Sequence, residues 1–259
     1  MPENANAGRN KPAAFFGYER ISEDEKTHRV LQHFNSVARQ YDFMNTLLSF
    51  GIHHIWKRIA VSAMGLSPGD QVIDVCGGTG DLAILAARHT APQGRVVIFD
   101  INRDMMNAGR HKTSAQTLSE RITYVQGNAE AISFPENTFE GAMVGFGIRN
   151  VTRMKKGFEE MHRVLKPGGK LMCLEFSKPT WPVFRRLYDI YSFHIMPFLG
   201  EHLAGSRQAY THLPESIRTF PLPDELSDIL SDFGFANVRY RKLTNGIAVI
   251  HTGVKRAVS

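Results

Sequence analysis

Asp74-Val-Cys-Gly-Gly-Thr-Gly80, with Asp100 twenty residues past Gly80, is the stretch on which the fold of this chain turns. Residues 71–76 form a short apolar run with β-branched side chains, the pattern of a buried strand. The glycines follow at once, and 81–89 then reads as a helix. Glycine in such a turn lets backbone N–H groups come close to a ligand. Residues 95–99 read as a second strand with Asp100 at its end, where a carboxylate can accept both hydroxyls of a ribose. The combination predicts an adenosine-type cofactor.

Gly78-Thr79-Gly80-Asp-Leu-Ala83 also fits the G-x-G-x-x-G/A fingerprint of dinucleotide sites. Asp74 argues against a pyrophosphate, because its charge would face two phosphates across the turn. The same carboxylate suits a ligand with a cationic end. S-adenosylmethionine has one, an α-ammonium, with a sulfonium beside its ribose. A glycine turn with no ligand is the plain alternative.

The length of 259 residues suits one α/β domain with decoration, or at most two small domains. No apolar run reaches the ~18–20 residues of a membrane span. Residues 1–11 are polar and lack the apolar segment of a secretory signal, so a cytoplasmic protein is expected. The net charge of +6 is spread along the chain, without a basic run, a C-x-x-C pair or an RNP-like strand, and nucleic acid is not an expected partner. Cys76 and Cys173 sit in strand-like runs and read as buried small hydrophobes. His53 and His54 are neighbours on an expected helix and should point to different sides, so no metal is expected.

Residues 1–22 read as a loose arm, and 23–259 as a single catalytic domain. Within it, 23–40 is an expected helix with Val30, Leu31, Phe34, Val37 and Ala38 on one face. Residues 41–64 continue as one or two helices broken near Gly51. Strands fit at 71–76, 95–100, 122–126, 140–145 and 169–176, and helices at 81–89, 103–117 and 152–165. This alternation implies a parallel sheet with helices on both faces. Near the end, a helix at 224–235 precedes strands at 236–243 and 247–254. Asn245-Gly246 between those strands is a hairpin signal, so one of them should run antiparallel. That is the topology of class I methyltransferases and not of dehydrogenases. The segment 178–221 interrupts the alternation. Its Phe184, Leu187, Tyr188, Tyr191, Ile195 and Phe198 lie at helical spacing beside Arg185 and Arg186. It reads either as a core-packing helix or as a lid for a hydrophobic substrate that also touches a membrane interface.

Two further blocks narrow the reading. They are Tyr41-Asp-Phe-Met-Asn45-Thr-Leu-Leu-Ser-Phe50-Gly-Ile-His53-His-Ile-Trp56 and Arg163-Val-Leu-Lys-Pro-Gly-Gly-Lys170-Leu-Met-Cys-Leu-Glu175-Phe-Ser177. Gly127-Asn128-Ala129-Glu-Ala131, Phe146-Gly-Ile-Arg149-Asn150-Val151 and Glu215-Ser-Ile-Arg218 add to them. From about Phe16 to Val254 the chain resembles the UbiE-type quinone C-methyltransferases, which methylate the ring of demethylmenaquinol or of a ubiquinol precursor. The resemblance implies a Rossmann-like α/β fold: a seven-stranded mixed sheet with an antiparallel last strand, N-terminal helices and a helical insertion. It places S-adenosylmethionine on Thr79, Asp100, Asn128, Ala129 and the position of Gly145, with S-adenosylhomocysteine as product. The chain departs from the pattern at Cys76, where such loops often carry a small residue, and at Gly145, where many relatives carry serine.

C-methylation needs a carbon nucleophile, and deprotonating a quinol hydroxyl supplies one. The methyl donor is already activated, so no metal is required. Arg149 and Asn150 follow the fourth strand of the α/β alternation, whose C-terminal end should face the crevice. Arg149 is expected to hold a phenolate or a water. Tyr41 and Asp42 are expected to orient that water or the second hydroxyl, with His53 as a candidate base. Tyr41 and Asn45 as simple helix caps are the structural alternative. Met196-Pro-Phe-Leu-Gly200 and Leu213-Pro-Glu-Ser-Ile-Arg-Thr-Phe-Pro221 look closer to menaquinone-type relatives. The expected partner is a prenylated quinol, with peripheral membrane contact, and a homo-oligomer is compatible. The competing classes are another small-molecule methyltransferase, a dinucleotide-dependent oxidoreductase, and a non-catalytic adaptor.

Overall fold

A computed structural model describes residues 13–115 and 118–257. The chain opens with a short antiparallel hairpin, β1 (Ala13–Phe16) and β2 (Glu19–Ser22). This corrects the expected loose arm over 13–22; residues 1–12 lie outside the described part. Phe16 anchors the hairpin by stacking on His212, ring centroids 3.8 Å apart. Gly17 lies so close to Glu215 that a Cβ there would come within 2.1 Å of its carboxylate.

Three helices follow: α1 (Glu23–Val37), α2 (Tyr41–Leu48) and α3 (Ile52–Ala63). Ser22 caps α1 by accepting from the Glu25 N–H. Gly51 breaks α2 from α3 with a left-handed φ of 74°. The alternation then runs β3 (Gln71–Val75), α4 (Asp81–His89), β4 (Arg95–Asp100), α5 (Arg103–Ala115), β5 (Ile122–Gln126), β6 (Phe139–Gly145), α6 (Met154–Val164) and β7 (Leu165–Phe176). The last parallel strand starts at Leu165 and not at 169. Phe139 already pairs with Leu165, and the ladder bulges past Pro167-Gly168-Gly169 before resuming at Gly141 and Lys170.

Residues 178–221 fold into α7 (Pro182–Ile190), one π-helical turn over 191–195, α8 (Met196–Ala204) and α9 (Arg207–Thr219). Helix α10 (Pro223–Asp232) leads into β8 (Phe235–Leu243) and β9 (Ala248–Lys255), joined by a tight turn in which Asn245 takes φ 54°. The seven-stranded sheet has the order β5-β4-β3-β6-β7-β9-β8, and β9 runs antiparallel to both neighbours. The predicted α/β class and the terminal hairpin are both present.

One apolar layer packs α3 and α4 on the sheet through Trp56, Ala60, Leu82 and Ala83. The other packs α6 and α10 through Phe158, Met161, Leu226 and Leu230. A third cluster lies off the sheet, where Val37, Met44 and Leu48 meet Met196, Ala209 and Tyr210. The N-terminal helices and the insertion thus form one cap. The sheet order reverses at β3, so the ends of β3 and β6 flank the switch-point crevice beneath that cap.

Candidate active site

The crevice is built by the turn after β3. Gly78 and Gly80 hold φ of 51° and 82° there, and a Cβ on Gly80 would meet Ile98 Cδ1 at 2.7 Å. Cys76 takes φ 56° and lines the crevice as a non-glycine in the left-handed region. Asp100 closes the turn from the end of β4, accepting from the Gly78 N–H at 2.8 Å and the Asn102 N–H at 2.7 Å. Burial pushes its carboxyl up to about 6, while the two N–H groups pull it down. Asp74 is 1 % exposed. Its Oδ2 accepts the Ala83 N–H of α4 at 3.1 Å, and its Oδ1 has no partner. Burial pushes this carboxyl up to about 8.

A buried carboxylate oxygen without a partner on a ligand-sized crevice calls for a cationic group. The donor set therefore fits an adenosine ligand with an ammonium end. Asn128 and Ala129 line the same crevice, and Asn128 Oδ1 is taken by the Glu130 N–H at 2.9 Å, which leaves its NH₂ group. At Gly145 a Cβ would lie 2.5 Å from Leu82 Cδ1, so Leu82 fills the space a serine would need. The crevice encloses about 1040 Å³, including its mouth, and Thr27, Val30, Leu31 and Phe34 of α1 form its roof. The apolar face expected for α1 thus covers the crevice as well as packing in the cap.

A second cavity of about 1790 Å³, including its mouth, opens beside the first. Phe184, Leu187, Tyr191 and Trp56 give it apolar walls, and Arg149, Asn150, His33, His53 and His212 add polar groups. Phe34, Tyr41, Lys57, Phe146 and Asn150 line both cavities. Of the expected catalytic residues, Tyr41, His53, Arg149 and Asn150 are therefore brought together around this cavity and its shared wall.

Asp42 is not among them. Its Oδ1 accepts the Thr79 hydroxyl at 2.7 Å and its Oδ2 pairs with Lys112 at 2.8 Å, on the cofactor-loop side. The Thr79 hydroxyl is consequently committed to Asp42, and Thr79 faces the crevice through its backbone. Arg149 also differs from the free cation expected. It donates to the buried Glu175 at 3.1 Å and to the Phe146 carbonyl, with its guanidinium 5.4 Å from the centre of the Phe176 ring. Its Nε is buried without a partner. Burial raises the Glu175 carboxyl, and Arg149 pulls it back.

His53 and His54 do not point apart. Both Nε2 atoms lie 3.2 Å from Thr46 Oγ1, because α2 folds back against the first turn of α3 across Gly51. With Asp81 they bring three ligand atoms within 4.8 Å of one another. Asp81 is already held by Lys57 at 2.7 Å and Lys112 at 2.6 Å, and two ammonium groups oppose a metal ion there. Burial lowers His53 and His33 to about 4, and His212 to about 3. Three neutral imidazoles thus face the second cavity.

Glu175, His33, His212, Lys57 and Lys112 escaped the sequence reading. Lys57 lies four residues after His53, on the same helical face, and helical spacing marks it. Glu175 sits on a strand, and nothing local marks its pairing with Arg149, 26 residues earlier. His212 and Lys112 carry no local signal.

The ubiE/COQ5 methyltransferase family pattern matches residues 22–255. The chain is 44 % identical, over 95 % of its length and 98 % of theirs, to the ubiquinone/menaquinone biosynthesis C-methyltransferases UbiE of Yersinia pestis and Yersinia pseudotuberculosis. Among solved structures it is similar to the [4+2]-cyclase SpnF, with TM-score 0.66 and 16 % identity over 90 % of this chain and 97 % of that one. A SAM-dependent methyltransferase from Aquifex aeolicus matches with TM-score 0.54 and 18 % identity over 76 % and 88 %. The structural likenesses speak for the fold alone; the family pattern over residues 22–255 and the 44 % identity over nearly the whole chain show that it belongs to the ubiE/COQ5 methyltransferase family.

Proposed function

We propose that the protein methylates a ring carbon of a prenylated quinol, with a demethylated naphthoquinol as the preferred substrate. The observation that carries this is the shared wall of Tyr41, Phe146 and Asn150 between a crevice that presents Asp74 and Asp100 and fits an adenosine, and a larger apolar cavity. S-adenosylmethionine, when bound, supplies an electrophilic methyl on a sulfonium. Asp74 would hold its ammonium, the Thr79 N–H of the loop its carboxylate, Asp100 its ribose, and Asn128 with Ala129 its adenine edge, since the Gly78 and Gly80 amides already donate to Asp100 and to the Gly77 carbonyl. The chain must align the ring carbon at the shared wall and support the phenolate oxygen.

Arg149 Nε is the donor left over from the Glu175 pair, and Asn150 sits next to it on the shared wall. His53 is assigned as the proton acceptor. Thr46 donates its only O–H to the Asp42 carbonyl at 2.9 Å, so its oxygen can only accept from His53 Nε2. That leaves His53 Nδ1 unprotonated, and the ring is neutral at pH 7. The phenol proton passes to this nitrogen, and the oxygen's electron pair makes the neighbouring ring carbon nucleophilic.

Leu187 and Phe50 both line the apolar cavity and are 61 % and 86 % exposed, which marks its mouth. Trp181 and Val183 extend this apolar rim, and Arg185 and Arg186 flank it. This supports a lid resting at a membrane interface, with the prenyl chain entering there. Among the described residues no helix is long and apolar enough to cross a membrane. The test is to incubate the purified protein with S-adenosylmethionine and short-chain demethylnaphthoquinol or benzoquinol, then identify the product by mass spectrometry. Methylation of the naphthoquinol, unaffected by exhaustive chelation, is expected. Equal turnover of the oxidised quinone would overturn the carbon-nucleophile reading.

A further inference from the structure

Beneath the glycine loop lies a closed knot of charge that neither cavity explains. Lys112 Nζ donates to Asp42 Oδ2 at 2.8 Å, Asp81 Oδ1 at 2.6 Å and Thr79 Oγ1 at 3.0 Å. An ammonium has three donors, and here all three are used. Thr79 passes its own hydroxyl hydrogen to Asp42, and Lys57 takes the other oxygen of Asp81. The four charged residues come from four elements, α2, α3, α4 and α5, and their formal charges cancel.

The knot joins the two halves of the site. Thr79 belongs to the cofactor loop. Asp42 adjoins Tyr41 on the helix that walls the quinol-side cavity, and Lys57 lines both cavities. Without Lys112, Asp81 would keep Lys57 while Asp42 would lose its ammonium partner, and the two carboxylates would push α2 and α4 apart. We propose that Lys112 is a positioning residue that locks helix α2 to the cofactor loop, so that filling the crevice fixes Tyr41 at the shared wall. The lock itself follows from the contacts; its service to a quinol rests on the function proposed above.

The test uses the full chain and S-adenosylhomocysteine as probe. In the wild type, ligand should slow amide exchange in both the glycine loop and residues 41–48. In Lys112→Met, protection of the loop should persist and that of 41–48 should vanish. A short-chain quinol should tighten wild-type binding of the probe by roughly fivefold or more, the lower range of measured couplings. That coupling should be lost in Lys112→Met and partly restored in Lys112→Arg. Asp42→Asn should repeat the result, and it serves as the variant if Lys112→Met does not fold. Protection of 41–48 that survives in the folded variant, or that is absent from the wild type, would overturn the proposal. A wild type that shows the protection but methylates no quinol would instead overturn the substrate reading.

Discussion

Asp74, Gly78, Thr79 and Asp100 reach the cofactor crevice from one strand-turn-helix-strand unit, whereas Tyr41, Arg149 and Tyr191 reach the apolar cavity from segments far apart in the chain. The crevice rests on the switch point of a buried sheet. The cavity is enclosed by a cap whose own apolar cluster stands off that sheet. Chemistry that must be held rigidly has been placed where strands fix it. Selection of a large apolar substrate has been left to helices with exposed faces. The largest expected effect tests this division on the cavity side, beside the shared wall. Arg149→Lys keeps the charge but loses the planar fork that meets Glu175 and still leaves Nε over. Its kcat should fall by roughly 10²-fold or more, the scale of one preorganised donor. Affinity for S-adenosylhomocysteine, measured by calorimetry, should stay within about threefold. A defect mainly in cofactor affinity would move Arg149 to the crevice side of the comparison.

Asp100→Ala attacks the crevice alone. It removes the carboxylate and strands the Gly78 and Asn102 N–H groups. Cofactor affinity should weaken by ~1.5–3 kcal/mol, the range for charge-assisted hydrogen bonds. Unchanged affinity in calorimetry would remove Asp100 from the ribose site.

How much of each region was legible follows from the same division. The crevice could be read because its glycines, its two carboxylates and the strand periodicity are local. Even so, the commitment of Thr79 and Asp42 to Lys112 was invisible, because the lysine arrives from α5. The apolar cavity was legible only through resemblance and helical spacing. His212 looks like any polar residue on a helix until β1 brings Phe16 onto its ring. Glu175 is a strand residue whose significance depends on Arg149 folding back across the sheet end. The Tyr-Ser-Phe-His-Ile stretch at 191–195 reads as ordinary helix, yet it makes a π-helical turn.

A pH titration sharpens the crevice side. Burial holds the Asp74 carboxyl at about 8 in the ligand-free protein, so it is largely neutral at pH 7. A cationic ligand needs the charged form, so binding must release a proton. Affinity for S-adenosylhomocysteine should therefore rise, by up to roughly 25-fold, as pH goes from 6 to 7.5. Asp74→Asn should flatten that slope. Burial shifts His53 the other way on the other side of the wall, yet with the same preference for higher pH. It is lowered to about 4, so the unfolded chain binds more protons between about 4 and 6.5. Its burial therefore contributes stability that is lost as pH falls through that window. Protonation of His53 should also cut turnover only as pH approaches 4.

The smallest expected effect concerns the cap alone. Trp181 and Val183 are 72 % and 74 % exposed, and neither lines a cavity. Helix α7 buries none of its residues, so replacing this rim should leave the fold and both cavities as they are. If the rim is an interface anchor, Trp181→Ser with Val183→Ser should weaken binding to anionic vesicles by roughly threefold to tenfold, the cost of losing partly inserted apolar surface. Turnover of a long-chain quinol in those vesicles should fall in step. Turnover of a water-soluble short-chain quinol should not change, because the route through Phe50 and Leu187 to the shared wall is untouched. Equal loss on both substrates, with an earlier melt, would mean that α7 stabilises the cap. The exposed face would then belong to the architecture of the cavity and not to its access.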